Sequence, residues 1–286
     1  MVNLEGSQNL IKTPDFTTAT YLEVLILEGC TRLAHVHPSI GVLKSLKLLN
    51  LRGCRSLSSL PTKIGMESLE TLILSGCSNL VRFPEIDGKM ECSSLRELNL
   101  RDRNLREGDI PNDISCLSSL KKLDLSDCKE LKSVPELLTS IEDVRLDGCS
   151  SLEVVELANP LDVTNLVGST FMKAVNCYRL AENINALTLL KKHLKAFSNS
   201  RKTFDIFMPG SEIPEWFSQQ TSDSPINIPL PINLQKDSQW IGVACCCIFV
   251  INDASRDDKQ DIGCKAGIYC RISKQASCNG SIFGGR

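Results

Sequence analysis

The sequence has no excess of charge, no long apolar run and no recognisable leader, and each absence removes a class of protein. Lys plus Arg number 32 against 34 Asp plus Glu, so nothing points to nucleic acid or to an anionic membrane as the main partner. The longest apolar stretch, 241–251, is eleven residues broken by Gly242. A membrane-spanning helix needs about 20, so the stretch reads as a buried strand and no membrane span is expected. The opening Met1-Val2-Asn3-Leu4-Glu5-Gly6 lacks the basic start and apolar core of a secretory signal. No Gly-x-x-x-x-Gly-Lys-Ser/Thr loop is present, so no phosphate-binding motif is expected in this chain.

Clusters that could carry chemistry are also missing. Cys245-Cys246-Cys247 splits across the two faces of a strand, and no Cys-x-x-Cys pair or nearby histidine completes a zinc site. His35 and His37 flank a turn with no carboxylate or nucleophile close in sequence and are read as surface histidines. No catalytic residue, metal or cofactor is expected. The chain is read as a binding protein, not an enzyme.

What is present is a repeat. Leu22-x-x-Leu25-x-Leu27-x-Gly29-Cys30 returns as Leu46-x-x-Leu49-x-Leu51-x-Gly53-Cys54 and Leu69-x-x-Leu72-x-Leu74-x-Gly76-Cys77. It continues as Leu95-x-x-Leu98-x-Leu100, with Arg103 in the cysteine's place, then Leu120-x-x-Leu123-x-Leu125-x-Asp127-Cys128 and Ile141-x-x-Val144-x-Leu146-x-Gly148-Cys149. The starts lie 24, 23, 26, 25 and 21 residues apart. This is the signature of leucine-rich repeats, each of which must stack on a neighbour to bury its leucines. A further leucine (Leu33, Leu57, Leu80, Leu131, Leu152) packs under each return arm, and Pro61, Pro84, Pro111 and Pro135 often end it.

The fold expected is an α/β leucine-rich-repeat solenoid, a horseshoe with parallel strands on its concave face, over 1–180. A capping helix or linker over 181–200 carries Leu187, Leu190, Leu194 and Phe197 at helical spacing. A small, incomplete jelly-roll or Ig-like sandwich follows over 201–286, with short β-type runs separated by Pro, Gly, Ser and Asp. Two features suggest a piece of a longer protein. Leu4-Glu5-Gly6-Ser7 aligns with Leu27-Glu28-Gly29-Cys30 while the strand before it is expected to be missing, and the expected sandwich stops early, at Ser281-Ile282-Phe283-Gly284-Gly285-Arg286. Residues 171–180 look like a degenerate last repeat.

The recurring Cys30, Cys54, Cys77, Cys128 and Cys149 fall just after each strand. Adjacent strands are about 4.8 Å apart, but side chains in one column point in parallel, not toward each other. Core packing in a reducing compartment is the preferred reading, over disulfides or metal. Trp216 and Trp240 are read as structural plugs of the second domain.

Function should lie on the solvent-facing strand positions. Glu23, Lys47, Glu70, Arg96, Lys121 and Glu142 place mostly opposite charges side by side across neighbouring strands, which pairing alone explains. The next columns run Val24, Leu48, Thr71, Glu97, Lys122, Asp143 and Ile26, Asn50, Ile73, Asn99, Asp124, Arg145. The concave face is therefore expected to be apolar over three repeats and charged over three. Its candidate partner-binding set is Val24, Ile26, Leu48, Asn50, Ile73, Asn99, Arg101, Lys122 and Arg145. Aromatic anchors, the usual hot spots, are absent from these columns.

Met208-Pro209-Gly210-Ser211-Glu212-Ile213-Pro214-Glu215-Trp216-Phe217 and Trp240-Ile241-Gly242-Val243-Ala244 resemble the jelly roll that follows the repeats in plant disease-resistance receptors of the TIR, nucleotide-binding, leucine-rich-repeat class. The Gly-Cys corners and the phrase Ser7-Gln8-Asn9-Leu10-Ile11-Lys12-Thr13-Pro14-Asp15-Phe16 resemble that class too. The resemblance implies the C-terminal portion of a cytoplasmic, and also nuclear, immune receptor that binds a pathogen protein or its own other domains. It implies self-association only through domains outside this chain, and NAD cleavage, if any, only in a TIR domain. Two rivals stand beside it. A repeat adaptor recruiting a substrate to a ubiquitin ligase would need an F-box-like helix, and a cysteine enzyme would need a thiol beside a base; neither is evident in the sequence.

Overall fold

In each repeat the leucines on either side of one outward-facing residue fix a short extended segment, because alternate side chains of a strand face opposite ways. The computed structural model describes residues 1–61, 68–80, 94–107, 109–110, 117–137, 140–157, 167–182, 201–207, 264–269 and 277–282. Strands β1 (Val2–Asn3), β2 (Val24–Ile26), β3 (Leu48–Asn50), β4 (Thr71–Ile73), β5 (Glu97–Asn99) and β6 (Lys122–Asp124) come one per repeat. After them come β7 (Ser133–Leu137), β8 (Asp143–Arg145), β9 (Val154–Leu157), β10 (Val167–Lys173), helix α1 (Tyr178–Glu182) and β11 (Arg201–Phe207). A nine-stranded parallel sheet runs β1-β2-β3-β4-β5-β6-β8-β10-β11. The middle residue of each short strand, such as Leu25, Leu49, Leu72, Leu98 and Leu123, is at most 1% exposed and joins one continuous leucine core.

The helical half of the expected α/β class is where the structure differs. Among the described residues there is one five-residue helix, α1, and one 3-10 turn at Pro38–Val42. The return arms are extended instead. Single parallel bridges join Lys12 to His35 and His35 to Ser59, and β7 pairs in parallel with β9. Repeats of 21 to 26 residues leave little chain for a helix once strand and corners are subtracted, and Pro135 sits within β7 itself, where it denies a helix its amide.

At the ends of the array two expectations change and one is met. The strand before Leu4 is not missing: Val2 and Asn3 pair with Leu25 and Ile26. Residues 171–180 are a full member of the array, with Phe171, Met172 and Lys173 in register with Asp143, Val144 and Arg145. β11, assigned from sequence to the second domain, pairs with β10 over seven residues and belongs to the repeat sheet. The chain divides into Met1–Pro209 and Gly210–Arg286. In the second unit β12 (Cys264–Tyr269) and β13 (Ser277–Ile282) form an antiparallel pair. The other strands expected of a jelly roll, Trp216, Trp240 and most of the 181–200 helix lie outside the described residues.

Candidate functional site: the open face of the repeat sheet

After each strand the chain turns a corner through positive φ, at Gly29, Gly53, Gly76, Asp102, Asp127, Gly148 and Asn176. This brings the next side chain inward. Where it is cysteine, the thiol donates to the carbonyl of the preceding repeat: Cys30 to Leu4 at 3.1 Å, Cys54 to Leu27 at 3.2 Å, Cys77 to Leu51 at 3.1 Å. Cys128 donates to Leu100 at 3.4 Å, Cys149 to Leu125 at 3.1 Å and Cys177 to Leu146 at 2.9 Å. Every one of these thiols is free and buried. Burial pushes Cys54 up to about 12 and Cys77 and Cys128 up to about 11, so at neutral pH they are hydrogen-bonding thiols, not nucleophiles. Cys177 moves the other way, mainly through its interaction with the neighbouring Cys149 side chain.

Arg103 interrupts the column. It is 2% exposed, its Nη2 donates to Leu80 O at 2.5 Å, and its Nε and Nη1 have no hydrogen-bond partner among the described residues.

On the opposite side of the strands, Val24, Leu48, Thr71, Glu97, Lys122, Asp143 and Phe171 stand in one register row. Ile26, Asn50, Ile73, Asn99, Asp124, Arg145 and Lys173 stand in the other. All are half-buried except Lys122 and Arg145, which are exposed. The structure thus brings the sequence-selected residues onto one face, apolar at the β2–β4 end and polar from β5 onward.

Several of these residues already have partners. Asn50 Oδ1 accepts from Arg52 N at 3.0 Å and Asn99 Oδ1 from Arg101 N at 3.1 Å, so both help turn the chain. Arg101 pairs with Asp127 at 2.9 Å and Arg145 with Asp143 at 3.1 Å. On the rim, Glu23 meets Lys47 at 3.0 Å and Lys121 meets Glu142 at 2.7 Å. Lys122 has no ion pair among the described residues; it lines a hollow with Glu97, Asn99, Asp124, Asp143 and Arg145.

Sequence reasoning missed three features. Tyr21 is 90% exposed, at a position that is serine in the next five repeats (Ser45, Ser68, Ser94, Ser119, Ser140); that column was the available signal. Phe171 and Lys173 extend both rows by one strand. His37, for which no carboxylate was found nearby in sequence, has one from the previous repeat: its Nδ1 lies 3.7 Å from Asp15 Oδ1 and 2.8 Å from Ser39 Oγ. Asp15 is held below the usual carboxylate range first by the Thr17 hydroxyl. Both Ser39 and Asp15 face the same imidazole nitrogen, whereas a serine relay needs opposite nitrogens. Phe16 N donates to Ser39 Oγ at 2.8 Å and His37 N to Thr13 Oγ1 at 2.8 Å. The cluster staples two return arms.

Parallel strands one per repeat, buried leucines at fixed spacing and a recurring corner geometry make a parallel-strand solenoid with little helix, consistent with leucine-rich repeats. Comparison with known proteins carries the assignment further. Residues 208–280 match the C-JID domain. The chain is 40% identical over 191 residues to the disease resistance-like protein DSC1 of Arabidopsis thaliana, covering 61% of this chain and 15% of DSC1. It is 31% identical over 278 residues to disease resistance protein RPS4 of the same plant, covering 87% of this chain and 20% of RPS4. To the TMV resistance protein N of Nicotiana glutinosa it is 28% identical over 277 residues, covering 85% of this chain and 24% of that one. The chain is related to the plant TIR-type nucleotide-binding leucine-rich-repeat resistance proteins and carries their C-JID domain. It spans no more than about a quarter of the length of these curated relatives.

Proposed function

We propose that the chain is the protein-recognition region of an intracellular plant immune receptor. In this reading it binds a pathogen protein, holds the receptor's other domains inactive, or does both by preferring one conformational state. The observation that carries the reading is the open sheet face, where Val24, Ile26, Leu48 and Ile73 present aliphatic side chains in register on the side away from the core. Contiguous apolar surface of this kind marks contact sites. The reduced thiol column supports a cytoplasmic or nuclear location, because oxidation would remove its donors. The C-JID unit, read as a jelly roll, supplies a second surface, and the chain acts by binding alone, without chemistry of its own.

The test is Val24→Asp combined with Ile73→Asp. Both side chains lie on the open face, outside the leucine core, so the expected result is an unchanged circular dichroism spectrum with a cooperative melt only modestly lowered. Capture of purified receptor domains or candidate pathogen proteins should be lost. Undiminished capture by the double variant would sink this assignment of the face.

A further inference from the structure

If the sheet face is a contact surface, the chemistry of its occupant can be narrowed from the charges around it. In the first two repeats the charged side chains bracketing the apolar positions are matched internally. Glu23 meets Lys47 at 3.0 Å, Glu28 meets Arg52 at 3.7 Å, and Asn50 Nδ2 donates to Glu28 at 2.9 Å. A charge from a partner laid over Val24, Ile26 and Leu48 would lose its water and find each neighbouring counter-charge already engaged. An uncharged aliphatic surface has no such penalty and gains from burial. The polar end differs: there Lys122 and Glu97 project from neighbouring strands with no ion pair among the described residues.

A second observation is an exposed aromatic residue just ahead of the strip in sequence. Tyr21 stands 90% exposed three residues ahead of Val24, in a column that is serine in the next five repeats. A tyrosine ring offers a large, rigid contact area with a polar tip, at little cost in side-chain entropy. Tyr21 enters no hydrogen bond among the described residues that would explain its presence structurally.

We infer that Tyr21, Val24, Ile26, Leu48 and Ile73 form a docking strip for an uncharged, aliphatic surface of a partner protein, with Tyr21 as its anchor. The inference rests on the reading of this face as a contact surface, and it predicts an association through this strip that is insensitive to salt.

The test uses the full chain and three small probes: the N-acetyl amides of leucine, arginine and aspartate. Backbone amide resonances are followed by NMR during each titration. The leucine probe should shift the amides of 24–26, 48–50 and 71–73, with an affinity that changes less than about twofold between about 0.05 and 0.5 M NaCl. Tyr21→Ser, at an exposed site, should weaken it by about threefold. Larger shifts of the same amides by either charged probe, or a steep loss with salt, overturn the proposal. Shifts of these amides on raising protein concentration alone assign the strip to a second copy of the chain and overturn it too. The two readings fail separately. Lost capture in the Val24→Asp, Ile73→Asp protein with no leucine response rejects only the aliphatic strip. A leucine response with undiminished capture rejects the functional reading instead.

Discussion

At the corner of each repeat, one residue must take a left-handed backbone, and the chain meets this demand in two ways. Gly53 and Gly148 do it without a Cβ, at φ 69° and 75°; Asp127 and Asn176 do it at 61° and 63°. A side chain in this region costs about 1–2 kcal/mol unless it is Asn or Asp, which bond locally. Gly53→Ala should therefore lower the unfolding free energy by about 1 kcal/mol, measured by urea denaturation. Gly148→Ala should cost more, because its Cβ would lie 2.5 Å from Asp127 Oδ1. Equal losses at the two sites would show that the Asp127 clash is relieved freely. Arg103 presents the opposite case, a residue that fits its place poorly. Burial pulls its pKa down, and two of its nitrogens lack partners among the described residues. Arg103→Met keeps most of the volume and removes the buried charge. It should raise stability by about 1–2 kcal/mol, even after Leu80 O loses its donor. A fall in the melting temperature would mean that the bond to Leu80 outweighs the charge.

Within one strand, period-two alternation makes a sharper expectation. In β6, Leu123 is 1% exposed while Lys122 and Asp124 face outward. Leu123→Ala should cost about 3 kcal/mol and Lys122→Ala no more than about 0.5 kcal/mol; comparable losses would mean the strand is turned. The strand rows and the thiol column were legible in the sequence because leucine, glycine and cysteine recur at fixed offsets. The return arms were not legible. Their residues carry no strict period, and bridges such as Lys12 to His35 and His35 to Ser59 join residues more than 20 apart, which no local pattern reveals. For the same reason Asp15 was not recognised as the neighbour of His37. The candidate face was legible as a pair of rows, but their internal partners were not: that Arg101 is held by Asp127 and Arg145 by Asp143 depends on side-chain reach.

Across the whole repeat unit, the buried thiols make stability depend on alkali. An ordinary thiol has a pKa of 9.0, whereas Cys54 sits at about 12 and Cys77 and Cys128 at about 11. Folded-state values raised above unfolded ones mean that the unfolded chain releases protons first as pH rises. Stability from this source is complete below pH about 9 and declines from there through about 11–12. Thermal melts at pH 8, 9 and 10 (values of order set by the thiol range) should fall only over the last step, and Cys54→Ser with Cys77→Ser should flatten that fall. A decline already under way below pH 8 would point to a different titrating group. The thiols should also react slowly with a charged disulfide reagent until the chain unfolds.

The thiol-to-carbonyl bond has a consequence for inheritance. Each bond joins a repeat only to the one before it, and Cys54, Cys77 and Cys149 use the same donor, acceptor and corner. A genetic duplication or deletion of one whole repeat therefore leaves every surviving cysteine opposite an equivalent carbonyl, while it inserts or removes one line of the open face. The buried side of the strands supplies a constant grammar, and lineages can rewrite the exposed side one repeat at a time.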